Sequence, residues 1–315
     1  MKVINYRFPQ KTNSIHRTAV ALGFFDGMHV GHRELIALLV KRSHELGLIP
    51  CVMTFTQNLS ASKKVQSLLY NTEDKLKIFE SLGVEMVFLT DFDSISSLSA
   101  SEFISEVLID AFGAELALSG YNFRFGKGAS ANASDLVSLM RNSGKNAEVL
   151  KEQSMLGAPI SATRIRGLMH NLCLDEANKL LGTPYFIRGV VERGLGLGKA
   201  YGFPTVNIPI SDSSPLTVGV YRTAVRIGHK LYTGITNVGT CPTIEERAVH
   251  AETLIADFDK EIYGEEIYVY FLGYIRDERK FDTVEQLRDQ IYKDKEIAIK
   301  ENGDLSWLET GLSLQ

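Results

Sequence analysis

The sequence has few cysteines and no long apolar run, and both absences restrict the classes of protein that it can encode. Its three cysteines, Cys51, Cys173 and Cys241, lie far apart and in no Cys-x-x-Cys spacing. Neither a disulfide framework nor a zinc site is therefore expected, and the cysteines are interpreted as small buried apolar residues. No apolar run approaches the roughly 18 residues that a membrane-spanning helix needs. The first ten residues, MKVINYRFPQ, also lack the apolar core of a secretion signal. We therefore expect a cytoplasmic protein.

An excess of charge of either sign is also missing. The formal net charge of −4 gives no overall attraction to nucleic acid or to anionic lipid, so neither is expected as a partner. A local basic cleft for phosphates remains compatible with this balance. With 44% hydrophobic and 23% charged residues, the composition is that of an ordinary globular protein. A chain of 315 residues is long for a single core, so two domains are expected.

The first half of the chain alternates short apolar runs with amphipathic stretches, which predicts βαβ units around a parallel sheet. The apolar runs are TAVALGFF, IPCVMTF, EMVFLT, ELALSG and NAEVL. Between the first two runs, Leu35, Leu38 and Leu39 share one face of a predicted helix from His32 to Leu46. We interpret residues 1–183 as a doubly wound α/β domain that ends at a Gly-Thr-Pro breaker.

The second half, residues 184–315, has a different texture. Short β-branched and aromatic runs are separated by Gly, Pro and Asp, without helices between them. This pattern predicts a mainly antiparallel β-barrel domain. Residues Val284 to Lys300 then predict one C-terminal amphipathic helix.

The first candidate site follows the first predicted strand, where residues 23–32 read GFFDGMHVGH and continue into a helix. In open α/β sheets, ligands bind beyond the carboxyl ends of strands, where a helix N-terminus presents free N–H groups to phosphate. His29 and His32 can there donate hydrogen bonds to phosphate oxygens that gain charge during displacement. Gly31 allows the backbone to approach a nucleotide closely. The pattern indicates nucleotidyl transfer, although alone it also fits a capping turn with a surface histidine.

Two later segments carry groups suited to the same ligand. GYNFRFGKG, residues 120–128, follows the fourth strand and offers Asn122 and flanking aromatic rings to a base or a flavin, with Lys127 for phosphate. ISATRIR, residues 160–166, can open a helix with a hydroxyl, free N–H groups and two guanidinium groups for a triphosphate. A packed aromatic loop and an ordinary helix cap are the alternative interpretations.

The second candidate site lies in the glycine-dense stretch GVVERGLGLGKAYGFPTVN, residues 189–207. A P-loop does not fit, because it needs Gly in place of Arg193 and Ser or Thr in place of Ala200. A dinucleotide fingerprint would need Gly at Lys199 and a following helix. Spacing alone therefore favours a hairpin turn. The oxygens of Thr205 and Asn207 nevertheless suit a hard cation, which prefers oxygen ligands.

These segments together resemble the bacterial riboflavin kinase and FAD synthetase family. The GxFDGxHxGH loop is similar to that of HxGH nucleotidyltransferases, and GxGxGK followed by GFPTxN is similar to the riboflavin kinase signature. Further matches are NVGTCPT at residues 237–243, AET at 251–253 before DFDKEIYG, and the run from Arg276 to Leu287. The resemblance covers most of residues 20–295 and implies phosphorylation of riboflavin to FMN and adenylylation of FMN to FAD.

The resemblance also implies which residues act. His29 and His32 would be catalytic in adenylyl transfer, and Glu252, on a strand facing the second site, would take or orient the proton of the attacking hydroxyl. Thr205 and Asn207 would hold Mg²⁺, and ATP, riboflavin, FMN and FAD would be the substrates and products. The nucleotide would contact Gly23, Phe24, Asp26, Gly31, Asn122, Thr163, Arg166, Gly196, Gly198 and Lys199.

Two departures from the family pattern concern the first half. Ala162 stands where a hydroxyl residue is expected, and TFTQNL at residues 54–59 replaces a proline-containing stretch. A kinase with a weakened adenylyltransferase half is therefore one alternative. A non-catalytic flavin-binding regulator is another, and a single-activity nucleotidyltransferase would leave the GFPTxN half without a purpose.

Overall fold

The computed structural model describes residues 1–10, 17–56, 68–193, 202–210, 214–240 and 249–308. The chain divides into two compact units that adjoin in sequence at Ser161 and Ala162. The predicted boundary at 183/184 lies about two helices further along, and the limits of the functional domains stay a prediction. Among the residues that the structure describes, no helix has the length and apolar character needed to cross a membrane.

A six-stranded parallel sheet forms the core of the first unit. Its strands are β1 (Lys2–Tyr6), β2 (Thr18–Leu22), β3 (Ile49–Phe55), β4 (Met86–Thr90), β5 (Ala114–Gly120) and β8 (Asn146–Leu150). The order across the sheet is β1-β4-β3-β2-β5-β8, and every pair is parallel. Every residue of β2 is buried, as expected for a strand covered on both faces. The predicted α/β domain is confirmed, with β1 as an edge strand that the sequence analysis did not include.

Helices connect these strands. They are α1 (Val30–Leu46), α2 (Thr72–Ser81), α3 (Phe92–Ile95), α4 (Ala100–Glu102), a π-helical segment (Phe103–Ala111) and α5 (Ala133–Asn142). Two short hairpins pair β6 (Arg124–Phe125) with β7 (Ala131–Asn132), and β9 (Ser154–Met155) with β10 (Ala158–Pro159). From β2 the chain continues to β3 on one side of the sheet, and it later adds β5 on the other side of β2. A ligand crevice is therefore expected at this switch point, beyond the carboxyl ends of β2 and β5.

An antiparallel sheet forms the second unit. Helices α6 (Ala162–His170) and α7 (Leu174–Leu181) precede strands β11 (Tyr185–Val190), β12 (Thr205–Pro209), β13 (Gly219–Ile227), β14 (Lys230–Thr240), β15 (Val249–Ile255) and β16 (Glu266–Arg276). The strand order is β11-β16-β13-β14-β15-β12. One bridge, from the Glu192 N–H to the Asn207 carbonyl at 2.9 Å, brings the two ends of this order together. The predicted antiparallel domain is thereby confirmed.

The interior of this sheet contains a row of buried threonines. The hydroxyls of Thr223, Thr236 and Thr253, on three neighbouring strands, form a chain of two hydrogen bonds of 2.9 Å each. Because each hydroxyl can donate and accept, the row satisfies its own polar atoms inside the core. The row fixes the register of β13, β14 and β15.

The C-terminal helix α8 (Val284–Asn302) packs on β13, β14 and β16. Asp294 of this helix is 1% exposed and accepts from Arg276 at the end of β16, with distances of 2.8 to 3.2 Å. Gln290 also donates to the same carboxylate at 2.7 Å. Hydrogen bonds from Arg276 and Gln290 therefore replace the water that the buried carboxylate has lost, and the pair with Arg276 holds the helix against the sheet.

Candidate active sites

The first site is built on the loop between β2 and α1. Phe25, Gly27 and Met28 in this loop have φ angles of 55°, 86° and 42°, so the chain turns sharply through the left-handed region. His29 then caps α1, because its Nδ1 accepts from the His32 N–H at 3.4 Å. The predicted capping role is thus present, and it brings both histidines to the helix N-terminus at the sheet's carboxyl edge.

The two imidazoles form a stacked pair. Their ring centroids lie 3.7 Å apart with an interplanar angle of 15°. Burial lowers the pKa of His29 to about 4, and burial together with the charges of His29 and Lys75 holds the pKa of His32 well below its usual value. Both rings are therefore neutral at physiological pH in the ligand-free protein, and each retains one N–H donor.

His32 has an unused polar atom. Its Nδ1 is buried without a hydrogen-bond partner among the described residues, and its ring packs edge-on against Phe25 with centroids 5.2 Å apart. A buried nitrogen without a hydrogen-bond partner lowers the stability of the fold unless a ligand or a water molecule forms the missing hydrogen bond. The ring is thus held by packing rather than by hydrogen bonds of its own.

Other predicted contacts lie around the same edge. Leu22 of β2 pairs in register with Ser119 of β5, so the loops that follow both strands leave the sheet side by side. Asn122, in the second of these loops, is exposed, and its neighbour Phe123 stacks on the buried Phe125 at 5.7 Å. Only part of the aromatic loop is therefore available to a ligand.

Four more of the predicted nucleotide contacts, Gly23, Phe24, Asp26 and Gly31, lie in the same loop and at the start of α1. A Cβ at Gly31 would lie 3.5 Å from the His29 ring, which is an ordinary van der Waals contact. The glycine therefore relieves no steric clash, and its effect is to leave space above the helix N-terminus. A Cβ at Gly23 would lie 3.0 Å from the Phe25 ring. Phe24 is partly exposed, whereas Asp26 is 8% exposed.

Sequence reasoning missed Lys75. This lysine of α2 is 2% exposed, and its Nζ donates to the Phe24 carbonyl at 3.2 Å. It lies on the buried face of the helix with Ile78 and Phe79. Its spacing of three and four residues from Ile78 and Phe79 places it on the apolar face of α2, a local signal that the exposed Lys77 lacks and that was not used.

Thr163 and Arg166 belong to the second unit and lie one turn apart on α6. The Arg166 Nη2 donates to the Thr163 hydroxyl at 3.3 Å. Their predicted place at the ATP phosphates stays a prediction.

The second site is centred on Glu252 in β15. In the antiparallel register Glu252 faces Asn207 of β12 on one side and Asn237 of β14 on the other, so the three side chains share a face of the sheet. The Thr205 hydroxyl donates to Glu252 Oε1 at 2.7 Å. The structure therefore brings together Thr205, Asn207 and Glu252, whereas Gly196, Gly198 and Lys199 lie outside the described residues.

Two cavities adjoin this row. The larger, of about 330 Å³, is lined by Thr205, Glu252 and a mostly apolar wall that includes Ile235, Leu254 and Phe281. The smaller, of about 200 Å³, is lined by Asn207, Asp259, Lys260 and Tyr263 among others. Thr205 lines both cavities, so it stands at their junction.

Asn237 is a further residue of the larger cavity. Its Nδ2 donates to Glu278 Oε1 at 3.0 Å, while its Oδ1 is buried with no donor among the described residues. Asn237 is the first residue of the segment NVGTCPT, which resembles the family pattern, but no role was predicted for it. A hydroxyl-bearing ligand would satisfy this oxygen.

A histidine pair at the carboxyl edge of a parallel sheet, and a cavity lined by Glu252 on a second, antiparallel sheet, are the arrangement expected of a transferase with two sites. Two family models divide the chain accordingly. "FAD synthetase" matches residues 11–164 and "Riboflavin kinase" matches residues 181–301.

Curated relatives match across nearly the whole chain. The "Bifunctional riboflavin kinase/FMN adenylyltransferase" of Bacillus subtilis (strain 168) is 34% identical over 295 residues, covering 90% of this chain and 92% of the relative. The protein of the same description from Escherichia coli (strain K12) is 31% identical and covers 88% and 90%. This chain belongs to the bifunctional riboflavin kinase/FMN adenylyltransferase family. It is an enzyme with both activities, as the resemblance implied, and neither the regulator nor the single-activity alternative is favoured.

One solved structure shares the complete fold. A chain described as a macrolide-efflux protein from Streptococcus pneumoniae is 31% identical, with a TM-score of 0.84, and covers 95% of this chain and 99% of that one. The likeness supports a common architecture for both units. The description applies to that protein.

Proposed function

We propose that the first site transfers the adenylyl group of ATP to FMN through His29 and His32, and that the second phosphorylates riboflavin with Glu252 as the base. The family implies ATP, riboflavin, FMN and FAD as substrates and products. The observation that best supports one reaction in each unit is the pair of separate side-chain groups, stacked imidazoles in one unit and the Glu252 carboxylate, hydrogen-bonded to Thr205 at a cavity wall, in the other.

In adenylyl transfer, a phosphate oxygen of FMN attacks the α-phosphorus of ATP, and the bond to pyrophosphate breaks. Negative charge then grows on the phosphate oxygens. The neutral imidazoles donate their N–H groups to these oxygens, and the α1 N-terminus adds a favourable dipole. We assign contacts with ATP to Gly23, Phe24, Asp26, Gly31 and Asn122 in the first unit.

In the kinase reaction, the terminal ribityl hydroxyl of riboflavin attacks the γ-phosphorus of ATP, and ADP leaves. Glu252 accepts the hydroxyl proton. The larger cavity suits the flavin because its wall is mainly apolar and its volume of about 330 Å³ lies within the usual range for small ligands. The smaller cavity then receives the nucleotide, and Gly196, Gly198 and Lys199 are proposed to contact its phosphates.

Both ATP-using activities imply a divalent metal, and we propose Mg²⁺ at Thr205 and Asn207. Their oxygens are the kind of donor that Mg²⁺ prefers, and Glu252 lies beside both. Within the described ranges, no three His, Cys, Asp or Glu side chains cluster as a metal cage. A metal held by one or two protein oxygens and by substrate phosphates fits that arrangement. When bound, Mg²⁺ neutralises charge that develops on the transferred phosphoryl group.

We also propose that the enzyme acts in the cytoplasm, the compartment that holds the ATP pool. Cell fractionation with an antibody against the chain tests the cytoplasmic location.

The boundary between functional domains is proposed at residues 183/184, close to the start of the riboflavin kinase match at residue 181.

Separate assays of the two reactions test the assignment of sites. His29→Ala should abolish FAD formation from FMN and ATP while FMN formation from riboflavin stays within about twofold. Glu252→Gln should do the reverse. The exposed His44 and Glu296 supply the matched controls His44→Ala and Glu296→Gln. Equal loss of both activities in either site variant would refute one site per unit.

A further inference from the structure

A buried lysine lies behind the imidazole pair of the first site. Lys75 is 2% exposed, and its Nζ is 3.2 Å from the Phe24 carbonyl oxygen and 4.6 Å from the centroid of the Phe24 ring. Fully buried lysines are rare, because removing an ammonium group from water is costly unless nearby groups compensate. This position is therefore expected to serve something other than solubility.

The carbonyl that Lys75 contacts belongs to the loop that carries His29. Thr54, at the end of β3, donates to the same oxygen at 3.1 Å. One carbonyl is thus held by a strand and by a helix, immediately before the residues that turn through positive φ. A loop with that strained conformation persists only where the surroundings hold it.

Helix α2 supports the loop at a second point. Phe79, one turn after Lys75, packs edge-on against Phe25 at 5.4 Å, and Phe25 in turn packs against His32 at 5.2 Å. The orientation of His32 is therefore connected to α2 by aromatic packing and to Lys75 by the loop backbone.

Lys75 also acts through its charge. Its positive charge disfavours protonation of His32, and Asp26 favours the charged form of Lys75. The charged and titratable groups around it are Asp26 in the loop and His32 on α1, with His29 stacked on His32. In its ammonium form Lys75 makes a charge-assisted hydrogen bond to the Phe24 carbonyl, which is stronger than a bond from a neutral amine.

We propose that Lys75 is a positioning residue for adenylyl transfer, whose ammonium group fixes the Phe24 carbonyl, and with it the loop that carries His29, from behind the reacting groups. This inference rests on the proposed adenylyl-transfer site. Burial lowers the pKa of Lys75 to about 8, partly offset by Asp26. The charge is thus present at neutral pH and is lost as the pH rises through about 8, which weakens the charge-assisted hydrogen bond to the Phe24 carbonyl and makes the positioning pH-dependent.

The first test compares Lys75→Met with Lys77→Met, the matched change at an exposed lysine of the same helix. With FMN and ATP as substrates, we expect Lys75→Met to lower kcat about 10-fold to 100-fold, the range of residues that support a site from behind, with each KM within about threefold. Lys77→Met should match the wild type. FMN formation from riboflavin, measured in the same preparations, should stay within about twofold and reports that the variants are folded.

The second test is the pH profile. Wild-type kcat for FAD formation should decline as the pH rises through about 8, and Lys75→Arg, whose charge persists, should extend the active range upward if the guanidinium is accommodated. Wild-type rates from Lys75→Met, or an unchanged alkaline decline in an active Lys75→Arg, overturn the proposal. If Lys75→Met lost both activities, a Lys75→Gln variant with normal kinase turnover and normal FAD formation would also overturn it. FAD formation by His29→Ala would instead overturn the proposed site itself, so the two failures are distinct.

Discussion

The Thr205 hydroxyl donates to Glu252 Oε1 across 2.7 Å, from β12 to its neighbour β15. This bond orients one oxygen of the proposed base and leaves the lone pairs of the Thr205 hydroxyl available to a cation. Thr205 lines both cavities, so in the proposed kinase reaction it lies between the hydroxyl of one substrate and the phosphate of the other.

Replacement of Thr205 tests this junction. Thr205→Val removes the hydroxyl at nearly constant volume, so we expect the kinase kcat to fall about 10-fold to 100-fold, as the base loses its orientation and the metal loses a ligand. Thr205→Ser keeps the hydroxyl and should retain activity within about threefold. FAD formation from FMN should be unaffected by both changes. Steady-state assays at saturating Mg²⁺ measure these rates, and equal kinase activity in the Val and Ser variants would contradict the role.

The His29 titration predicts how stability changes with pH. Its pKa is lowered from 6.5 to about 4 in the folded state, so the unfolded chain binds the extra proton between these values. Stability is therefore complete above pH 6.5 and falls as the pH decreases towards 4, with a loss at pH 5 of ~2 kcal/mol from this residue. Unfolding by urea at pH 8 and at pH 5 measures the difference.

His29→Asn is the variant that isolates this titration, because Asn is also a good helix N-cap. The variant should keep most of its stability at pH 8 and lose ~2 kcal/mol less than the wild type on going to pH 5. Identical losses in the two proteins would show that His29 is not desolvated as described.

The Arg276 and Asp294 pair predicts a stability effect in the second unit. Asp294→Ala leaves the guanidinium without its buried carboxylate, which typically costs about 3 to 5 kcal/mol. We therefore expect a large fall in the thermal unfolding midpoint of the second unit. Because Arg276 and Asp294 line the larger cavity, we also expect weaker binding of riboflavin. Differential scanning calorimetry checks this, with Asp289→Ala at an exposed position of α8 as the control. A change of less than 1 kcal/mol would contradict the account.

The sequence predicted the two folds because each has a periodic signal. β2 and β3 are apolar apart from Thr18 and Thr54, as expected of strands covered on both faces, and the second half has strands without helices between them. β1 was missed because KVINY is a short edge strand with little alternation, and only its pairing with β4 identifies it.

The residues alone indicated the first site, whose chemistry is local, whereas Glu252 was assigned to the second site only through the family resemblance. His29 and His32 are three residues apart, so their motif is visible in a short window. Thr205 and Glu252 are 47 residues apart and meet through strand register, which the sequence does not encode in a readable way. Lys75 shares the apolar face of α2 with Ile78 and Phe79, but the sequence does not show that this face packs against the loop that carries His29.

The most direct test of one reaction in each unit is a mixing experiment. Riboflavin, excess ATP and Mg²⁺ are incubated with His29→Ala alone, with Glu252→Gln alone, and with both proteins together, and FMN and FAD are separated over time. We predict that His29→Ala accumulates FMN, that Glu252→Gln forms neither product, and that the mixture forms FAD, because FMN released by one protein is the substrate of the other. A mixture that makes no FAD, with each protein active in its remaining reaction, would contradict the assignment.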